Sequence, residues 1–149
     1  MSLTRRRALA LTGGVAAFAL AGGRIAFAGA DETQAAIAAF TGGAAPEAGK
    51  ITLDAPEIAE NGNTVPISVS VESPMSADDY VESVTILAEG NPNPEVATFH
   101  FTAMSGSAGA TTRIRLAKTQ NVIAIAKMSN GSTYMDKKEV KVTIGGCGG

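Results

Sequence analysis

From Ile51 onward, apolar residues fall at every second position in short bursts divided by turn residues. This feature constrains the fold most, because a two-residue period lines one face of an extended strand. Val65, Ile67, Val69 and Val71 alternate with Pro66, Ser68, Ser70 and Glu72. One face of such a strand is dry and the other wet. Pro66 has no N–H for a ladder, so the strand starts there or runs along an edge. Ile51 and Leu53 open an earlier strand that stops at Pro56. The same alternation recurs in Val84, Ile86 and Ala88, in Ala97, Phe99, Phe101 and Ala103, in Thr112, Ile114 and Leu116, and in Val140, Val142 and Ile144. Asn121 to Met128 is more continuously apolar, as expected of a central strand covered on both faces. Glu60-Asn61-Gly62-Asn63, Gly90-Asn91-Pro92-Asn93-Pro94 and Asn130-Gly131 supply turn chemistry between the runs. About seven short strands with this spacing predict an all-β, antiparallel β-sandwich.

Ahead of the strands, Asp31 to Phe40 reads as one short helix, with Thr33 as its N-cap and Gly42-Gly43 as its stop. Residues 44–50 form a connector. Residues 1–30 read as an export signal rather than as part of the fold. Arg5, Arg6 and Arg7 make a basic start, Ala8 to Gly23 carries no charge, and Ala26-Phe27-Ala28-Gly29-Ala30 offers cleavage after Ala28 or Ala30. The uncharged run spans 16 residues and holds four glycines, too short and too glycine-rich for a membrane-spanning helix. Thr4, Arg5, Arg6 and Leu9 match the twin-arginine export pattern; Ala8 and Ala10 depart from it. That route carries folded proteins, and its use places the chain in the periplasm with no membrane span after cleavage. The organisation expected is therefore a signal over 1–30, a sandwich domain with its short helix over 31–144, and a terminal arm over 145–149.

Composition now excludes several functions. The chain has 149 residues with one Cys and one His, so a Cys₄ or Cys₂His₂ zinc site, an internal disulfide and a c-type haem attachment are all ruled out. Without Arg5, Arg6, Arg7 and Arg24, 8 basic residues face 14 acidic ones, a net charge of −6. An acidic domain lacking a basic, aromatic-interleaved face is a poor nucleic-acid binder. His100 lies between Phe99 and Phe101 and points away from the core. Asp78, Asp79 and Glu82 read as a solvated turn, and Arg113 and Arg115 as partners in cross-strand charge pairs. No Ser/His/Asp or Cys/His arrangement and no phosphate-binding loop is present. The body shows no active site, no metal site and no cofactor site.

Cys147 is different. It stands in Gly145-Gly146-Cys147-Gly148-Gly149, directly after the last strand. Glycine loses the most entropy on ordering, so this arm is expected to be flexible. Five extended residues reach roughly 16 Å. A thiol among residues without Cβ atoms suits entry into a narrow cleft, whereas a structural cysteine is packed and buried. An exposed free thiol is a liability in an oxidising compartment, so its presence points to use. The sequence places no cation beside it, so activation must come from whatever receives the arm. The prenylation box fails because the Cys is third, not fourth, from the end. A lipoprotein Cys would follow the signal instead. A Gly-Gly thiocarboxylate needs ATP and leaves Cys147 unexplained. Two readings remain: a covalent carrier, and a binding or structural subunit tethered to a partner through a Cys147 mixed disulfide.

The ending Val142 to Gly149 (VTIGGCGG) resembles the carrier motif of the SoxY family, the sulfur-carrying subunits of the bacterial Sox thiosulfate-oxidising system. Pro56 to Met75, Asn91 to Pro94, Thr112 to Ala117 and Val122 to Gly131 are similar as well, so the resemblance covers the whole chain after the signal. It implies an immunoglobulin-like sandwich, a heterodimer with SoxZ, and no enzymatic activity or cofactor of its own. It further implies that SoxAX joins thiosulfate oxidatively to Cys147, that SoxB hydrolyses off sulfate to leave a persulfide, and that SoxCD, where present, oxidises the remaining sulfur.

Overall fold

A computed structural model describes residues 28–146. The expected export residues Arg5 and Arg6, together with Cys147, Gly148 and Gly149, lie outside the described residues. The chain opens with helix α1 (Ala28–Thr41). Nine strands follow among the described residues: β1 (Glu47–Ala48), β2 (Ile51–Asp54), β3 (Ile58–Asn61), β4 (Val65–Val71), β5 (Val81–Ala88), β6 (Glu95–His100), β7 (Ala108–Ile114), β8 (Gln120–Met128) and β9 (Thr133–Ile144). A 3-10 turn at Ala103–Ser105 joins β6 to β7, capped by Thr102.

The strands form two layers. The larger sheet runs β1-β9-β8-β5-β6 with β3 also on β9, and the smaller runs β2-β4-β7. Between them lie Leu53, Val65, Val84, Ile86, Leu116, Val122, Ala124 and Val140, all buried. The alternation read in β4 is reproduced residue by residue, with Val65, Ile67, Val69 and Val71 facing in. Pro66 pairs with Arg113 of β7, while on the other side β2 pairs no further than Asp54 with Ser68. Its missing N–H is tolerated because the central strand starts there.

The continuous apolar run of β8 has a direct cause. Its even-numbered residues face the inter-sheet core, while Ile123 and Ile125 face outward under α1. There they join Leu87 of β5 and Ile37 of the helix, flanked by Ala36, Phe40 and Met135. A helix laid on the outside of the larger sheet thus adds a third layer, and β5 and β8 are dry on both faces.

Three expectations need correction. The sheets are not wholly antiparallel: β1 and β3 each pair in parallel with β9. Strand β9 spans 12 residues rather than the last few, because its polar first half is held opposite β8. Asp136 in that half accepts the Leu53 N–H at 2.8 Å and ties the two sheets together. Thr33 does not cap α1. It lies one turn inside, fully buried, with its hydroxyl donating to the Gly29 carbonyl at 2.7 Å. The helix does stop at Gly42-Gly43, both with positive φ, and the Gly43 N–H returns to the Ala38 carbonyl at 2.9 Å.

Candidate functional site: the base of the C-terminal arm

Strand β9 delivers the chain to Gly145 and Gly146 at one end of the sandwich. Here three separate segments converge: the β3–β4 turn at Gly62, the β7–β8 loop at Leu116 to Thr119, and the end of β9 itself. The Val142 N–H donates to the Thr119 hydroxyl at 2.9 Å. Two residues later, the Ile144 carbonyl accepts the Gly62 N–H at 2.7 Å, and after two more the Gly146 N–H donates to the Leu116 carbonyl at 2.8 Å. The Leu116 N–H closes the ring on the Gly62 carbonyl at 2.8 Å. Every second residue from Val142 to Gly146 is therefore gripped by backbone or hydroxyl groups of the scaffold.

The glycines make this closeness available. A Cβ on Gly62 would collide with the Leu116 carbonyl, one on Gly145 with the Ala117 carbonyl, and one on Gly146 would lie 2.7 Å from the Gly62 carbonyl oxygen. None of the three has a positive φ, so each is needed for space, not for its backbone angle. The sequence places Gly145 and Gly146 in a flexible arm; the structure instead seats them, with Gly146 buried. The next residue along the chain is Cys147, its only thiol.

The remaining candidates do not assemble. Asp79 sits in a tight turn exchanging hydrogen bonds with Ser76. His100 is exposed on β6, paired in register with Ser83. Arg113 has Pro66 as its cross-strand neighbour, not a carboxylate, and donates to the Thr64 hydroxyl at 3.4 Å. Among the described residues no three His, Cys, Asp or Glu side chains come together to hold a metal ion. Nor is any described helix long and apolar enough to cross a membrane. Sequence reading misses Gly62 and Leu116 as parts of the site. Gly62 reads as turn chemistry and Leu116 as core, and both are, but their backbone groups have this second use.

The scaffold thus clamps the chain at Gly146, one residue before its only thiol, the layout of a carrier. A family profile described as sulfur oxidation protein SoxY matches residues 37–147. The sulfur carrier protein SoxY from Chlorobium limicola f thiosulfatophilum is 36% identical, with a TM-score of 0.62 over 77% of this chain and 99% of that one. The chain belongs to the SoxY family and has the carrier role of that family in sulfur oxidation. Superoxide reductases share the fold alone. The one from Ignicoccus hospitalis is 23% identical at a TM-score of 0.57, covering 63% of this chain and 80% of that one. A putative one from Thermotoga maritima is 19% identical at 0.54, covering 62% and 84%. Comparison with curated proteins gave no match.

Proposed function

We propose that this chain carries the intermediates of thiosulfate oxidation as covalent adducts on Cys147. Export to the periplasm uses Arg5 and Arg6, and the chain works there as a heterodimer with SoxZ. The observation that carries this reading is the position of the clamp: it grips the chain up to Gly146, one residue before the only thiol, in a member of the SoxY family. Gly148 and Gly149 complete an arm that adds no side chain to obstruct entry into a partner's cleft.

The chemistry asked of Cys147 is thiol chemistry only. Joining the thiol sulfur to the outer sulfur of thiosulfate forms one S–S bond, releases the thiol proton and gives up two electrons. A haem partner of the SoxAX type takes those electrons. Hydrolysis by SoxB then breaks the bond between the sulfane sulfur and the sulfonate, water supplying the oxygen of the departing sulfate. A persulfide stays on Cys147 for SoxCD to oxidise. The carrier contributes access and position, and the enzymes contribute activation. Intact-mass measurement after incubation with thiosulfate and SoxAX is expected to show one thiosulfate added per chain, mapped to Cys147. An unmodified chain under turnover would refute the reading.

The two cleavage points expected for the signal are not equivalent. Thr33 is fully buried and its hydroxyl donates to the Gly29 carbonyl. A cut after Ala30 removes that acceptor, and an unpaired buried hydroxyl costs about 1–3 kcal/mol. A cut after Ala28 keeps it. N-terminal sequencing of the exported protein is expected to begin at Gly29; a start at Asp31 would show that the helix tolerates the loss.

A further inference from the structure

Leu116 is the hub of the clamp, yet it belongs to no strand: β7 ends at Ile114 and β8 begins at Gln120. No ladder fixes the backbone of this loop. One side chain does so instead. Asn91, only 3% exposed, donates from Nδ2 to the Arg115 carbonyl at 2.8 Å and accepts the Ala117 N–H on Oδ1 at 3.0 Å. Both neighbours of Leu116 are thus held by the two ends of one amide. Gln120 backs it up. Its Nε2 donates to Asn91 Oδ1 at 2.9 Å and to the Lys118 carbonyl at 3.0 Å, and its Oε1 accepts the Gly90 N–H at 2.8 Å. With its neighbours fixed, Leu116 can turn its N–H to Gly62 and its carbonyl to Gly146.

We propose that Asn91, supported by Gln120, is a positioning residue for the carrier arm, fixing through Leu116 the point at which the scaffold holds the chain, one residue before Cys147. The inference rests on the carrier reading of Cys147 and deepens it. The residue has to supply a donor and an acceptor at once in a buried place, which the two ends of its amide do. Its amide is spent on the backbone of the Leu116 loop and on Gln120. It acts by fixing the chain at Gly146, one residue before the thiol. Releasing Gly146, and then Ile144, adds unheld residues ahead of Cys147, and a longer unheld segment finds a fixed cleft less often.

Asn91→Ala in the full chain with its partner subunit is the direct test, read first by amide hydrogen exchange. Exchange at Gly146 is expected to accelerate on the order of tenfold or more, while amides of β5 and β8 keep their rates. In loading by the thiosulfate-joining enzyme, KM for the carrier is expected to rise on the order of three- to tenfold with kcat nearly unchanged. Alkylation of Cys147 by a small thiol reagent should proceed at the wild-type rate, because the thiol itself is untouched. A merely structural Asn91 would move stability without this split. Should Asn91→Ala fail to fold, Gln120→Met removes only the support and is expected to give an intermediate exchange rate at Gly146. Unchanged protection of Gly146 in a folded variant, or a fall in kcat at constant KM, overturns the proposal. The exchange readout needs no thiol. If Cys147→Ser still carried sulfur, the carrier reading would fall while Gly146 exchange still decided the role of Asn91 in the clamp.

Discussion

Replacing Cys147 with serine is expected to abolish sulfur loading altogether while leaving stability within about 0.5 kcal/mol of wild type, as for the exposed thiol that the sequence predicts. Serine keeps nearly the same size, but its oxygen forms no persulfide and no S–S bond. The chain has no second thiol to substitute for it. The bonds that hold the base of the arm come from backbone groups of Gly62, Leu116, Ile144 and Gly146 and from the Thr119 hydroxyl. All of these groups remain in the serine variant, so denaturant midpoints should coincide. Loading is measured by intact mass and turnover by sulfate release with the partner enzymes. Sustained thiosulfate oxidation by Cys147→Ser would end the carrier reading. A stoichiometric covalent heterodimer on non-reducing gels of the native complex would instead support the static tether.

The sandwich is legible in the sequence wherever one rule decides the outcome. The period of two in Val65 to Val71 can only be a half-buried strand, and the unbroken run to Met128 can only be covered twice. What covers it cannot be read, because the apolar stripe of α1 is narrow and made largely of alanine; Ile37 and Phe40 alone reach the sheet in force. The short strands β1 and β3 escape because parallel pairing with β9 is a tertiary event that leaves no local period. Thr33 misleads for a similar reason. A hydroxyl one turn inside a helix and a hydroxyl at its cap have the same sequence signature until the start of the helix is known. For the site, Cys147 announces itself by isolation among glycines. Its clamp does not, since hydrogen bonds between peptide groups carry no side-chain label. The Asn91–Gln120 pair lies in between: Asn91-Pro92-Asn93-Pro94 is visible as a turn, but only the fold shows that the first asparagine faces inward to a distant loop.

Gly62→Ala is expected to be strongly damaging, a single methyl placed against three neighbours at once. The new Cβ would run into the Leu116 carbonyl and sit 2.7 Å from the Gly146 nitrogen and 3.0 Å from a Val142 methyl. Two of these three are backbone atoms, which cannot rotate aside as a side-chain tip would. Either the β3–β4 turn must withdraw, breaking its bonds to Ile144 and Leu116, or the Leu116 and Gly146 segments must part. Overpacking of this kind costs about 1–3 kcal/mol, and each broken hydrogen bond adds about 1 kcal/mol. A loss of about 2–4 kcal/mol in denaturant unfolding is therefore expected, with Gly146 deprotected in exchange and loading impaired. Gly109→Ala is the matched control, because its nearest neighbour would be the Val69 carbonyl at 3.5 Å, an ordinary contact. A Gly62→Ala protein as stable as wild type, with Gly146 still protected, would show that the clamp is not what holds the arm. The effects of Gly62→Ala and Asn91→Ala should also fall short of adding. Both act on the arm through Leu116, and once Gly146 is free the second change has little left to release.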